Sequence, residues 1–413
     1  MINPELHASI QRFRSNRIAW YSSLILTAMF LCSLPAELIF NDKPLAMQID
    51  GAWYFPCVKS YSLADFGGDG EIKIEDYQSR ELIDFLNGVI REQDLESVFG
   101  SSDEFDDEFS DEFSDELEAP PADDATAEAA PEAAKHSHRF IWPLYRHSYR
   151  SEMREPKSGR AKLAAPWPEY VEYEKRTYES SHRDGQLLGT DAQGKDVLSR
   201  IVYGFRIAMF FGLGLAITGT VLGCLIGGIQ GYFGGWVDLL GQRVTEIWGS
   251  MPRLYLLIIL SSFLARWQIT DLQHLLVLFG ILNLTAWMGT ATYIRAEFLK
   301  ARNLDYVRAA KALGQPDWRI MLRHILPNSL TPVVTFFPFE ATGGILALTS
   351  LDFLQLGVRY PAPSLGELLS QGQENLHAIW IIVPTFLILT VALMLLTFVG
   401  DGIRNAFDPH HHG

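Results

Sequence analysis

The chain has 413 residues, 48% of them hydrophobic, a formal net charge of −15 and three cysteines. Cys32 and Cys224 lie in long apolar runs and Cys57 stands alone, so neither a disulfide framework nor a zinc-ligand spacing is present. The negative charge is concentrated in one segment, and several apolar runs approach membrane length, which places the chain among membrane proteins. No nucleic-acid partner is expected.

In chain order, residues 1–17 carry Arg12, Arg14 and Arg17 ahead of a first transmembrane helix over 18–40. That run is too long for the apolar core of a signal peptide and lacks a small-x-small cleavage site, so it reads as an uncleaved anchor. Residues 41–195 form a large outer region. Its first part mixes aromatics with turn residues and predicts a small ordered subdomain with short strands. An acidic insert follows over 102–134, in which Asp-Glu-Phe recurs every four residues. Phe105, Phe109 and Phe113 would line one side of a helix, but the dense like charges and the Pro/Ala tail favour a disordered, solvated spacer. The sharper alternative is a helix that docks on a basic partner. After the insert, Trp142 and Tyr145 suit a membrane interface. His136, His138 and His147 have no accompanying acidic or cysteine ligands, so no metal site is expected.

The stretch LGTDAQGKDVLSR, residues 188–200, has the Gly and Lys spacing of a nucleotide-binding loop. Asp196 stands where a phosphate loop needs Ser or Thr to ligate magnesium, and no buried strand precedes it. A structural role fits instead, with Gly189 and Gly194 in turns and Asp196 near a helix start.

Five further transmembrane helices are expected, giving an all-α membrane protein with about six spans. They fall at about 207–233, within 238–265, and at about 272–293, 330–351 and 379–399. Residues 196–405 form the five-helix core, and the tail over 406–413, with its adjacent histidines, carries no assigned function. Gly219, Gly223 and Gly227 repeat every four residues in the second helix, a spacing that lets two helices approach closely in lipid. Glu340 falls inside the fifth apolar run. An intramembrane carboxylate marks a candidate lining of a transport path, although pairing with a neighbouring subunit or a place near a helix end fits as well.

Between the fourth and fifth helices lies a basic stretch over 303–334. Residues 304–313 predict a short helix, Gly314 supplies a left-handed stop, and Pro316 suits the first turn of a second helix that ends near Pro327. Trp318, Ile320, Met321, Ile325 and Leu326 give that second helix apolar knobs. A hairpin of this kind is a rigid peg for a groove on a soluble partner. The plainer alternative is an amphipathic helix resting on a membrane surface. Basic residues cluster before the first helix, between the fourth and fifth (Arg295, Lys300, Arg302, Arg308, Lys311, Arg319, Arg323) and after the sixth (Arg404). An even number of spans puts all three clusters, and both termini, on the cytoplasmic side. The outer region is basic too, but long loops translocate regardless of charge.

The hairpin resembles the EAA loop of importer-type ABC permeases, whose pattern is roughly E-A-A-x-x-x-G and then I-x-L-P. Here Arg308, Ala309 and Ala310 stand for E-A-A, Gly314 for the Gly, and Ile325, Leu326 and Pro327 for the end. Arg308 replaces the family's acid, so a polar contact made by that acid does not carry over. Residues 186–409 resemble the C-type permeases of dipeptide and oligopeptide importers through the 188–200 stretch, LTSLDFLQLGVRYPAPSLGELLSQG and VGDGIRNAFDP. FNDKPL, WYFP and FGGD in the outer region are similar to the Yej-type branch, associated with oligopeptides and the peptide antibiotic microcin C.

The resemblance implies the type I ABC importer fold and an inner-membrane assembly. This chain would pair with a second permease subunit, two ATP-binding subunits and a periplasmic peptide-binding protein, all surrounded by membrane lipid. Arg308, Ala309, Ala310, Gly314, Trp318, Ile325 and Pro327 would couple to the ATPase. The chain itself would bind no cofactor, ATP and magnesium being used by the partners. Dipeptides, nickel complexes or glutathione are the alternative cargoes. No H-E-x-x-H or G-x-S-x-G motif supports a membrane enzyme. A membrane-anchored interaction protein working through the acidic segment would leave the hairpin unexplained.

Overall fold

The structure is a computed structural model and describes residues 4–62, 65, 74, 77–87, 137–152, 156–264 and 270–407. The acidic insert, His136 and most of the C-terminal tail lie outside the described residues. The chain divides into two compact units, Glu37–Ser148 and the combination of Met1–Ala36 with Tyr149–Gly413.

The smaller unit contains an antiparallel sheet in the order β2-β1-β3, made of β1 (Ala46–Ile49), β2 (Ala52–Tyr54) and β3 (His138–Ile141). Asp50 and Gly51, both at positive φ, form the two-residue turn that joins β1 to β2, as the strand twist requires. Met47 and Ile49 turn inward from β1 to meet Tyr77, Leu82 and Leu86, the last two from α4 (Arg80–Leu86).

The larger unit is helical. Asn16 ends α1 (Pro4–Ser15) and caps α2 (Arg17–Ser33) by accepting from the Ala19 amide. The first span is therefore shorter than the expected 18–40. Pro35 lies beyond its end, and α3 (Ala36–Ile39), most of which belongs to the smaller unit, is a separate turn. Asp196 caps α5 (Val197–Phe233), its carboxylate accepting from the Ser199 amide at 2.7 Å. This helix starts ten residues before the apolar run because its first turns are covered by protein: Val197, Ile201 and Phe205 are buried. The expected third helix resolves into two, α6 (Gly235–Ser250) and α7 (Arg253–Leu264), separated by an extended Met251 ahead of Pro252. Thr270 and Gln273 form a capping box on α8 (Asp271–Ala286), and α9 (Met288–Ala301) continues the same run.

After α10 (Asp305–Ala312) and α11 (Asp317–Ile320), a π-turn over Met321–Ile325 leads straight into α12 (Leu326–Phe353). Pro327 therefore does not end the second helix of the hairpin, contrary to the sequence expectation. Leu326 donates its amide to the Met321 carbonyl, five residues back. The wider π-turn immediately precedes the proline ring and the missing donor, which would break a regular α-turn. The unit closes with α13 (Leu365–Glu374) and α14 (Ile379–Phe407).

Four helices among the described residues are long and apolar enough to cross a membrane: Val197–Phe233, Gln273–Ala301, Asp317–Phe353 and Ile379–Phe407. The shorter apolar helices Arg17–Ser33 and Leu254–Phe263 occupy the first and third expected positions. Residues 149–195, grouped by sequence with the outer region, belong to the helical unit. Trp380 of α14 donates to the Thr190 carbonyl at 3.1 Å, and Gln371 of α13 bonds Ala192 and Gln193.

Candidate functional site

The hairpin is built on the end of α5. Val307 and Ala310 of α10, Ile320 of α11 and Ile325 of the π-turn are buried in one cluster with Tyr232 of α5, Ile294 and Phe298 of α9 and Val333 of α12. Gly314 sits at φ +73°, where a Cβ would meet nothing but would be strained by the backbone. Its amide donates to the Lys311 carbonyl, and the Gln315 amide to the Ala310 carbonyl, the paired bonds that close a helix through a left-handed glycine. Tyr232 donates its hydroxyl to the Asp317 carboxylate, Lys311 lies 5.3 Å over the Tyr232 ring, and His324 is 2.9 Å from the Gln315 amide oxygen. These bonds tie both arms of the hairpin to α5 and to each other.

The opposite face is open. Leu313 and Trp318 are 80% and 60% exposed, and Arg308, Ala309, Gly314 and Pro327 are exposed too. Of the residues matched to the EAA pattern, only Ala310 and Ile325 are buried. The rim is basic, with exposed Arg308, Lys311, Arg319 and Arg323 against Asp305 and Asp317. The result is an apolar tip with a cationic collar on a base fixed to three long helices. Such a surface suits docking on a protein with an apolar groove and acidic edges.

Gly219, Gly223 and Gly227 all face the α8–α9 run. A Cβ on Gly219 would stand 3.0 Å from the Ala286 Cβ, on Gly223 2.6 Å from the Thr290 Cβ, and on Gly227 within 2.3 Å of the Ala291 carbonyl oxygen. One turn further, Gly231 continues the stripe against the Arg295 backbone. The Arg295 guanidinium forms an ion pair with Asp238 of α6. Glu340 lies in the middle of α12 and borders a cavity shared with Gly289 of α9 and Trp248 of α6. No group of three or more potential metal ligands is found among the described residues.

Sequence reasoning missed a buried ionic cluster at the other end of α12 from the hairpin. Arg200 is fully buried and pairs with Asp191 at 2.9 Å and with Glu367 of α13. The other Asp191 oxygen accepts the Gln193 and Lys195 amides. Lys195 lies 4.2 Å over the Tyr360 ring. Asp352 accepts from the Val358 amide at 2.7 Å and from the Ser364 hydroxyl. The nucleotide-loop look of residues 188–200 thus conceals a clasp that locks this segment onto α13. Asp191 and Arg200 nine residues apart were a readable signal. Glu367, 167 residues further on, was not.

Residues 219–412, which include the hairpin, match the family described as binding-protein-dependent transport system inner membrane component. The inner membrane ABC transporter permease protein YejE of Escherichia coli strain K12 is 39% identical over 409 residues, spanning 99% of this chain and 98% of that protein. The chain belongs to the permeases of binding-protein-dependent ABC importers. The peptidoglycan transport system permease protein YejE of Agrobacterium fabrum is 38% identical, spanning 97% of this chain and 91% of that protein. The oligopeptide transport system permease protein OppC of Haemophilus influenzae is 35% identical over 224 residues, 54% of this chain and 70% of that protein. This permease is accordingly a multi-pass inner-membrane protein whose family works with ATPase and binding-protein partners. Its relatives are transport permeases.

Proposed function

We propose that this permease is one half of a heterodimeric membrane path that imports oligopeptides or peptide-like compounds, driven by two ATP-binding subunits and fed by a periplasmic peptide-binding protein. Both termini and the hairpin over 303–327 lie on the cytoplasmic side in this reading. ATP and magnesium are used by the partner subunits, and the chain holds no cofactor of its own. The peptide cargo is supported by the relatives, which are named for peptidoglycan and oligopeptide transport.

The observation that carries the coupling role is the hairpin's two-sidedness: a base buried against α5, α9 and α12, and an exposed tip at Leu313 and Trp318. When the ATPase pair closes, a groove gripping that tip pulls on α12, which continues from the hairpin without a break. Moving nearly the whole population between two access states requires a bias of about 5 kcal/mol. A tip on a packed base transmits such a bias, whereas a loose loop absorbs it.

The test is uptake by cells lacking this gene, with and without the restored chain, over peptides of graded length, microcin C, nickel and glutathione. Loss and recovery of oligopeptide uptake is expected. Unchanged uptake at every peptide length contradicts the cargo assignment, and loss of nickel or glutathione uptake alone moves it to the alternative cargoes.

A further inference from the structure

The glycine contacts fix the relative direction of the spans. Gly219, Gly223, Gly227 and Gly231 of α5 meet Ala286, Thr290, Ala291 and Arg295 in the same order, so α5 and the α8–α9 run lie parallel. Both end in the cluster under the hairpin, α5 with Tyr232 and α9 with Phe298 and Ala301. Two parallel helices joined in sequence require the chain to return the whole way between them. The described part of that return is α6 and α7. Asp238 of α6 pairs with Arg295, whose guanidinium also donates to the Gln242 amide oxygen at 3.0 Å. Further along α6, Trp248 and Gly249 border one cavity with Thr285 and Gly289. Trp287 is the midpoint of Gln273–Ala301. Helix α6 therefore runs antiparallel to α9, from the hairpin end to the middle of the span.

The surface of α6 is split lengthwise. Asp238, Gly241, Thr245 and Trp248 are its half-buried residues and form the stripe toward the bundle. At about 100° per residue, Gln242, Arg243, Glu246 and Ser250 fall together on one side of that stripe, with Leu239 among them. Trp236, Val237, Leu240, Val244 and Ile247 fall together on the other. Both sectors are exposed, to 84% at Trp236 and 68% at Leu240 on the apolar side. On the polar side Arg243 and Glu246 form an exposed ion pair at 2.7 Å. The two sectors occupy the same depths, so one environment cannot suit both. The apolar sector needs an apolar cover, whereas charged and amide groups are expensive in hydrocarbon and turn to water-filled cavities. Beside the polar sector is a cavity of about 220 Å³, whose described lining includes Gln230, Gln242, Thr245, Glu246, Thr292 and Arg295. Its amides and hydroxyls offer hydrogen bonds to the peptide groups of a cargo.

We propose that the face of α6 carrying Gln242, Arg243, Glu246 and Ser250 is a wall of the water-filled exit half of the transport path. This rests on the import reading above, which puts the hairpin side in the cytoplasm, and adds the surface along which the cargo leaves.

The experiment uses the assembled importer in lipid nanodiscs, hydrolysing ATP, with Cys32, Cys57 and Cys224 of this chain replaced by Ser. Gln242→Cys, Glu246→Cys and Ser250→Cys report on the polar sector, and Leu240→Cys and Ile247→Cys on the apolar one. The probe is a permanently charged methanethiosulfonate, which stays in water. Polar-sector thiols are expected to react at least about 10-fold faster, the effect of one pKa unit on a thiol that apolar surroundings keep protonated. Equal rates in the two sectors, or faster reaction at positions 240 and 247, overturn the proposal. Ser250→Cys changes one small side chain for another and keeps the test decisive should Glu246→Cys not accumulate. In cells, Ser250→Trp at unchanged membrane abundance is expected to lose most uptake of trialanine, because the ring narrows the path; undiminished uptake overturns the assignment. If the unaltered importer takes up no trialanine, the peptide reading fails, and the labelling rates still decide the wall.

Discussion

Replacing Gly227 by Ala places a methyl group where the α5–α9 contact has no room. The new Cβ would lie 2.3 Å from the Ala291 carbonyl oxygen and 2.9 Å from its carbonyl carbon. A relaxed contact is about 3.5 Å, so the two helices must separate by about 1 Å along the stripe. The obstacle is backbone, so no rotamer change relieves it. Overpacking of this kind costs about 1–3 kcal/mol, against which Ala returns up to about 1 kcal/mol in helix propensity. At about 2–4 °C per kcal/mol for chains of this class, the apparent thermal midpoint of the purified permease should fall by several degrees. Gly280→Ala is the matched control, because a Cβ there meets nothing within 4 Å. It should leave the midpoint unchanged or raise it slightly. Monitoring monodispersity against temperature reads both variants. A Gly227→Ala permease as stable as the original, or an equal loss in Gly280→Ala, refutes the packing argument.

Arg200→Met should be far more damaging, since it leaves the Asp191 carboxylate buried without its partner. Breaking one side of such a pair costs about 3–5 kcal/mol, so membrane abundance should collapse; normal abundance would show that the clasp is dispensable. Tyr232→Phe removes the hydroxyl bond to Asp317, worth about 1.5–3 kcal/mol for a charged acceptor. Amide exchange over 305–325 should speed up while the rest of α5 keeps its protection, and an unchanged hairpin would argue against the tie. Pro327→Ala should be tolerated in abundance, because the π-turn before it is already buried through Ile325; a shift of helix register detected by cysteine accessibility would show that the proline sets the turn.

The local signals of the sequence were those written in adjacent residues. Gly314 reads as a left-handed stop because few other residues accept that backbone, and its φ of +73° is that stop. Asp196 reads as a helix start because a short acid satisfies free amides, and it caps α5. Pro327 misled because a proline breaks an α-turn but not one widened to a π-turn, and nothing in the local pattern announces the widening. The third span misled differently. Its first half, α6, has no buried residue and an apolar face that a hydropathy reading merges with α7. The Arg200 clasp stayed hidden because its second carboxylate, Glu367, comes from α13, and one sequence does not show which distant acid completes a buried cluster.

The coupling role of the hairpin is tested most directly by photocrosslinking from its tip in the assembled importer. A photoreactive residue at Leu313 or Trp318 should capture an ATP-binding subunit. The same probe at Leu376, which is 72% exposed in the α13–α14 turn away from the hairpin, should not. Capture from Leu376, or none from Leu313 and Trp318 in an importer that still hydrolyses ATP, would contradict the account.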